Sequence, residues 1–155
     1  MRILQVHNKY QLKGGEETVL ELERELLENN NHEVFDYIVS NDLINSFYDK
    51  MIVFLNICYS NYQKNKISAY IKEIAPDVVH VHNFFPMITP AVFDACIENN
   101  TPVIMTLHNY RLICPSGLLF HNNVIYEKAI DKGVFSTIID KVKKSFTDNT
   151  YEITL

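Results

Sequence analysis

Residues 76–83 read Pro-Asp-Val-Val-His-Val-His-Asn, and this stretch decides the fold. Pro76 ends whatever helix precedes it, because proline lacks an amide donor and its ring collides with the previous turn. Asp77–His82 then runs as a nearly continuous apolar strand, the type buried on both faces of a parallel sheet. Upstream, Lys64–Ala75 has helical spacing, with Ile67, Tyr70, Ile71 and Ile74 on one face. Downstream, Pro86 and Pro90 punctuate a loop before a helix at Ala91–Asn99, and Pro102–Leu107 reads as another strand.

The same alternation extends to the N-terminus. Arg2–Val6 is a short strand, Asn8–Gly15 a polar loop ending in Gly-Gly, and Glu16–Asn29 a helix. On that helix Val19, Leu22 and Leu26, joined by Leu20 and Leu27, are the expected buried face. Glu16 and Glu17 occupy its first turn, where negative charge opposes the positive end of the helix dipole. Glu33–Val39 is the next strand. Asn41–Tyr62 is aromatic, apolar and dotted with asparagine, and is expected to hold one or two helices lying over the sheet. Strand and helix alternating at this spacing imply crossover units. The expected fold is therefore α/β: a Rossmann-like, doubly wound, mainly parallel sheet with helices on both faces. After His108 the character changes. Leu118–Phe120 and Val124–Tyr126 flank His121-Asn122-Asn123 as a hairpin, and Val134–Lys144 reads as a last helix. No linker is visible, and residues 1–155 are expected to form a single domain.

Composition narrows the function. The chain has 155 residues, 47% of them hydrophobic, with 14 Lys and Arg against 19 Asp and Glu, for a net charge of −5. That hydrophobic content excludes intrinsic disorder. The acidic balance argues against nucleic acid as a partner, since sequence-independent binding needs a basic surface. No apolar run reaches the roughly 20 residues of a membrane-spanning helix. Three scattered cysteines, Cys58, Cys96 and Cys114, form no CxxC pair and read as reduced thiols. The N-terminus lacks the charged, apolar and small-residue sections of a signal peptide. The expected compartment is the cytoplasm, including a peripheral position at the inner membrane face.

In an open parallel sheet, ligands bind beyond the carboxyl ends of the strands. Those ends carry His7-Asn8, Ser40, His82-Asn83 and His108-Asn109. Three His-Asn pairs at one rim suit a hydroxyl-rich ligand, because imidazole and carboxamide both donate and accept hydrogen bonds. Gly14-Gly15 ahead of a helix allows backbone amides to approach a phosphate. Neither GxGxxG nor GxxxxGK[ST] is present, so the pair is also consistent with a simple turn. His80-x-His82 places two imidazoles on one strand face, but no carboxylate motif backs them in the sequence, and no metal is expected. A Cys114–His108 nucleophile pair is weaker still, since Cys114 beside Pro115 suits loop packing.

Three segments together resemble the N-terminal domain of GT-B glycosyltransferases of the retaining family-four group. They are MRILQVHNKYQLKGGEETVLELERELLENNNHEV (1–34), PDVVHVHNFF (76–85) and TPVIMTLHNYRLICPSGLLF (101–120). The resemblance implies a domain that holds the acceptor while a separate C-terminal domain holds most of a nucleotide-sugar donor. The glutamate-containing donor motif of that second domain is absent here, so the chain is expected to be the acceptor half, inactive alone. By the same resemblance, Gly14 and Gly15 face the donor diphosphate and His108 contacts the donor sugar at the reacting centre. His82 and Asn83 border the acceptor, and Glu17 matches an acidic position after the glycine pair; beside His108, Asn109 and Arg111 are further candidates for sugar or acceptor binding, Arg111 suiting a plain surface role equally well. The implied partners are a nucleotide-sugar as co-substrate, with no cofactor, and a glycan or lipid-linked acceptor in surface polysaccharide synthesis. Two other readings stay open: a non-catalytic module that dimerises through an uncovered sheet edge, and a metal-dependent hydrolase built on His80 and His82.

Overall fold

The structure, a computed structural model, describes residues 1–11, 14–114, 117, 119–121, 124–125 and 130–131. The chain divides into two compact units, Met1–His108 and Asn109–Leu155. The first unit holds strands β1 (Arg2–Lys9), β2 (Glu33–Ser40), β3 (Val78–Asn83) and β4 (Val103–Met105). Its helices are α1 (Gly15–Asn29), α2 (Phe47–Asn56), α3 (Asn61–Ile74) and α4 (Ala91–Glu98), with a 3-10 turn at Asn41–Leu43. The four strands form one sheet in the order β2-β1-β3-β4, every pairing parallel. This is the expected doubly wound, Rossmann-like α/β arrangement.

Strand order fixes which face each helix covers. The chain passes outward from β1 to β2 through α1, then runs the other way to β3 and β4 through α3 and α4. Right-handed crossovers in opposite directions fall on opposite faces. Accordingly α3 and α4 pack on each other, and between them and the sheet lies the apolar core. It joins Leu4 and Val6 of β1, Val79 and Val81 of β3, Ile67, Ile71 and Ile74 of α3, and Val92, Ala95 and Cys96 of α4. Burial pushes the Cys96 thiol up to about 11, so it is a packed, protonated side chain.

Local chemistry sets the ends of these elements. The Ser60 hydroxyl accepts from the Gln63 amide at 3.3 Å, which starts α3 at Asn61 rather than at the expected Lys64. Ala75 at φ 48° closes that helix in the left-handed region just before Pro76. At α2, Ser46 and Asp49 form a reciprocal cap, Ser46 Oγ accepting from the Asp49 amide at 3.0 Å and Asp49 from the Ser46 amide at 2.8 Å.

Two expectations are corrected. First, α2 does not lie buried over the sheet: none of its residues is buried, and Phe47, Tyr48, Phe54 and Leu55 are all exposed. A cap at its start and helix-forming local sequence are enough to hold one short helix at the surface. Second, the buried stripe of α1 is not Val19, Leu22 and Leu26, which are exposed. Of the expected face Leu20 is buried and Leu27 half-buried, and with them Glu17 is buried and Glu23 and Arg24 are half-buried. The reason lies beneath the helix. The sheet face away from α3 and α4 carries Gln5, His7, His80 and His82, all buried, and a polar floor selects a helix face that brings carboxylates to it.

In the second unit, β5 (Phe120–His121) and β6 (Val124–Ile125) pair antiparallel, the expected hairpin in shorter form. Leu118, Tyr126 and the expected helix at Val134–Lys144 lie outside the described residues. Among the described residues no helix is long and apolar enough to cross a membrane.

Candidate functional site

The sheet order places a topological switch between β1 and β3, from which the chain departs in opposite directions. In open parallel sheets that crevice is where ligands bind. Register brings His7 of β1 opposite Asn83 of β3, across an irregularity between Val6 and His7. Alternation along each strand then decides what faces α1: Gln5 is level with His80, and all of Gln5, His7, His80 and His82 point to one side.

Glu23 reaches down from α1 to this floor. His80 Nδ1 lies 2.8 Å from Glu23 Oε1, and His80 Nε2 lies 2.8 Å from Thr106 Oγ1, so both ring nitrogens are engaged. His82 stacks beside it with ring centroids 4.2 Å apart. On its far side His82 Nδ1 is 3.1 Å from Nε2 of His108, whose ring is nearly parallel at 19°. His82 Nε2 makes no hydrogen bond and lies 3.6 Å from Glu23 Oε2. Burial, with His80, His108 and His7 adding like charge whenever they protonate, pushes the His82 imidazole down to about 3. His82 is therefore neutral at pH 7, with one donor and one acceptor nitrogen.

A second pair sits at the start of α1. Glu17 is buried and its Oε2 accepts from the Gly14 amide at 2.7 Å. Burial opposes its ionisation, but the amides of Gly14, Glu17 and Tyr10 together with His7 hold the carboxyl below its usual range. Glu17 Oε1 lies 3.7 Å from Nε2 of His7. For His7, burial outweighs the pull of Glu17 and Glu16, and its pKa falls. Neither ring nitrogen of His7 has a hydrogen bond, nor does either amide atom of Gln5. Buried polar groups are ordinarily paired. Their concentration on this one floor makes it the candidate site.

The glycines divide by role. Gly14 offers its amide inward to Glu17, and a Cβ there would meet Glu17 Oε2 at 3.5 Å, an ordinary contact. Among the described residues a Cβ on Gly15 would meet nothing within 4 Å, and neither residue has the positive φ that demands glycine. Nothing inside the fold requires Gly15 to lack a side chain.

The three asparagines of the His-Asn pairs brace backbone. Asn8 Nδ2 donates to Asn41 Oδ1 and its Oδ1 accepts from the Met87 amide, each at 2.8 Å. Asn83 Nδ2 donates to the Asn8 carbonyl at 2.8 Å, and its Oδ1 accepts from the Phe85 amide at 3.0 Å. Asn109, in the second unit, accepts from the Arg111 amide at 3.0 Å, close to Gly117. The structure thus brings together His82 with His108, and Gly14 with Glu17, among the residues read from the sequence. His7, read from the sequence as part of the His-Asn rim, joins them, and so do Glu23 and Thr106, which were not singled out as site residues. The usable signal for Glu23 was the Val-His-Val-His alternation of β3: buried histidines every second residue require polar partners from the covering helix.

No family model matches this chain, and no curated protein or solved structure matches it.

Proposed function

We propose that this chain is the N-terminal, acceptor-side domain of a retaining GT-B glycosyltransferase, acting in the cytoplasm or at the inner membrane face in surface polysaccharide synthesis. The observation that carries the reading is the arrangement at the rim. The amide start of α1 at Gly14-Gly15, the Glu17–His7 pair and the His82–His108 pair all stand at the carboxyl ends of β1, β3 and β4, around the switch point.

In this reading the diphosphate of a nucleotide-sugar approaches the first turn of α1 over Gly15, where no Cβ obstructs it and the helix dipole favours negative charge. That field is strongest for the charge developing on the departing diphosphate, which is where preorganised donors lower a barrier. Glu17 already fills the inner side of the helix start, so the donor meets the outer amides. His108, half-buried at the end of β4, hydrogen-bonds a hydroxyl of the donor sugar, its orientation set by His82. The β3 end at His82-Asn83 borders the acceptor, a glycan or lipid-linked sugar, and Asn109 and Arg111 follow His108 in the chain. The donor is a co-substrate, and the transfer needs no redox or carrier cofactor.

Calorimetric titration of the 155-residue chain with UDP, GDP and their sugar conjugates tests this. An acceptor-side domain gives dissociation constants of about 1 mM or weaker, near −4 kcal/mol. Micromolar binding would mean a complete nucleotide site within the chain and would overturn the assignment. One observation favours the dimerising alternative: β4 ends the sheet order and its Ile104 is exposed. A strict monomer by light scattering at high concentration removes it.

A further inference from the structure

We propose that Glu23, His80 and His82 form a binding site for a divalent transition metal of the zinc class. One ligand atom from each lies within 4.8 Å of the others. Two imidazole nitrogens and one carboxylate oxygen are a donor set suited to zinc, with a fourth position left to water. The mixed nitrogen and oxygen character disfavours calcium and magnesium, which take oxygen ligands.

Three features make this a built site rather than a chance meeting of polar groups. His82 is 2% exposed, and its Nε2, which faces Glu23, has no hydrogen bond. Both imidazoles also have their second nitrogen held: His80 Nε2 at 2.8 Å from Thr106 Oγ1, and His82 Nδ1 at 3.1 Å from His108 Nε2. Ligating histidines are ordinarily oriented through their other ring nitrogen in this way. On the neighbouring strand, Gln5 stands level with His80, buried and with both amide atoms unbonded. Glu23 is half-buried, which gives an ion its path from solvent.

With metal on Nδ1, His80 carries its proton on Nε2 and donates to Thr106 Oγ1. With metal on Nε2, His82 carries its proton on Nδ1 and donates to His108 Nε2. The ion fastens α1 to β3 and fixes the ring that positions His108. The site stands on its own residues and does not depend on the sugar-transfer reading.

The test uses the full chain, stripped with a chelator and titrated with Zn(II) and then Co(II). One equivalent of zinc should survive gel filtration, and Co(II) should give the visible absorption of a four-coordinate site. Glu23→Gln and His82→Ala should each weaken binding by about 100-fold or more, and Thr106→Ala by about 10-fold. Circular dichroism establishes that each variant is folded; should His82→Ala unfold, Glu23→Gln carries the test. Less than a tenth of an equivalent bound by the wild type would overturn the site. So would wild-type affinity in Glu23→Gln, which would place the metal on other histidines.

Discussion

The Glu17 carboxylate accepts the Gly14 amide at 2.7 Å, so α1 begins with an anion of its own chain seated against its amide end. The side chain is buried yet ionised, because the amides around it and His7 replace the water it loses. A glutamine at this position keeps the shape but removes the charge that the helix start favours. Glu17→Gln should therefore destabilise the chain by about 1–3 kcal/mol, measured by urea denaturation. A variant as stable as the wild type would show that the seat is dispensable.

The same pair sets the acid sensitivity. His7 has its folded pKa lowered, so its unfolded form binds more protons, and stability falls as pH drops below about 6.5. Glu17 has its folded pKa lowered as well, so its contribution is present above about 4.5 and is lost as pH falls through the lower folded value. Both losses have the same sign. Metal-free protein should lose stability as pH falls below about 6.5, where His82 and His7 both bind protons more readily in the unfolded chain, and again below about 4.5; His7→Gln should reduce the first loss and Glu17→Gln remove the second. A profile flat from pH 7 to 4 would contradict the pair.

Gly15→Ala separates fold from ligand. The added Cβ meets nothing, and replacing glycine at a compatible helix position stabilises by about 0.4–1 kcal/mol. The variant should melt at or above the wild-type temperature while diphosphate ligands lose contact with the helix start. Loss of more than about 1 kcal/mol would mean that the glycine pair is a turn requirement.

Asn83 and His108 should behave oppositely. Asn83 is buried and ties the Asn8 carbonyl and the Phe85 amide, so Asn83→Ala strands two backbone groups and should cost about 2–4 kcal/mol. His108→Ala leaves only His82 Nδ1 without its partner, should cost about 1–2 kcal/mol, less than Asn83→Ala, and should act on sugar contact. Equal losses of stability in the two would remove His108 from the ligand side.

How much was legible in the sequence is plain from α1. Its boundaries were, because Gly14-Gly15 and the asparagines at 29–31 punctuate it, and so were all four parallel strands. Its buried face was not. Leucine spacing put Val19, Leu22 and Leu26 together with Leu20 and Leu27, of which only the last two turn inward, whereas His7 of β1 meets Glu17 and the histidines of β3 meet Glu23, a demand visible only once β1 and β3 are paired. Leu22→Ala, at a residue 61% exposed, should change stability by less than about 0.5 kcal/mol, and buried Leu20→Ala should cost about 2–4 kcal/mol. The rim histidines were legible as strand ends. The bracing role of Asn8 was not, since its partners Asn41 and Met87 are remote in sequence, nor was the bond from Asn83 to the Asn8 carbonyl, which forms only through the fold.

The most direct test of the rim is a nitrogen-15 amide spectrum of the 155-residue chain titrated with UDP, GDP and their sugar conjugates to about 10 mM. The account predicts weak binding, about 1 mM or weaker, with shifts concentrated at Gly14, Gly15, Glu16 and His108 and reduced in Gly15→Ala. Unmoved amides at the start of α1, or shifts centred away from the carboxyl ends of β1, β3 and β4, would contradict it.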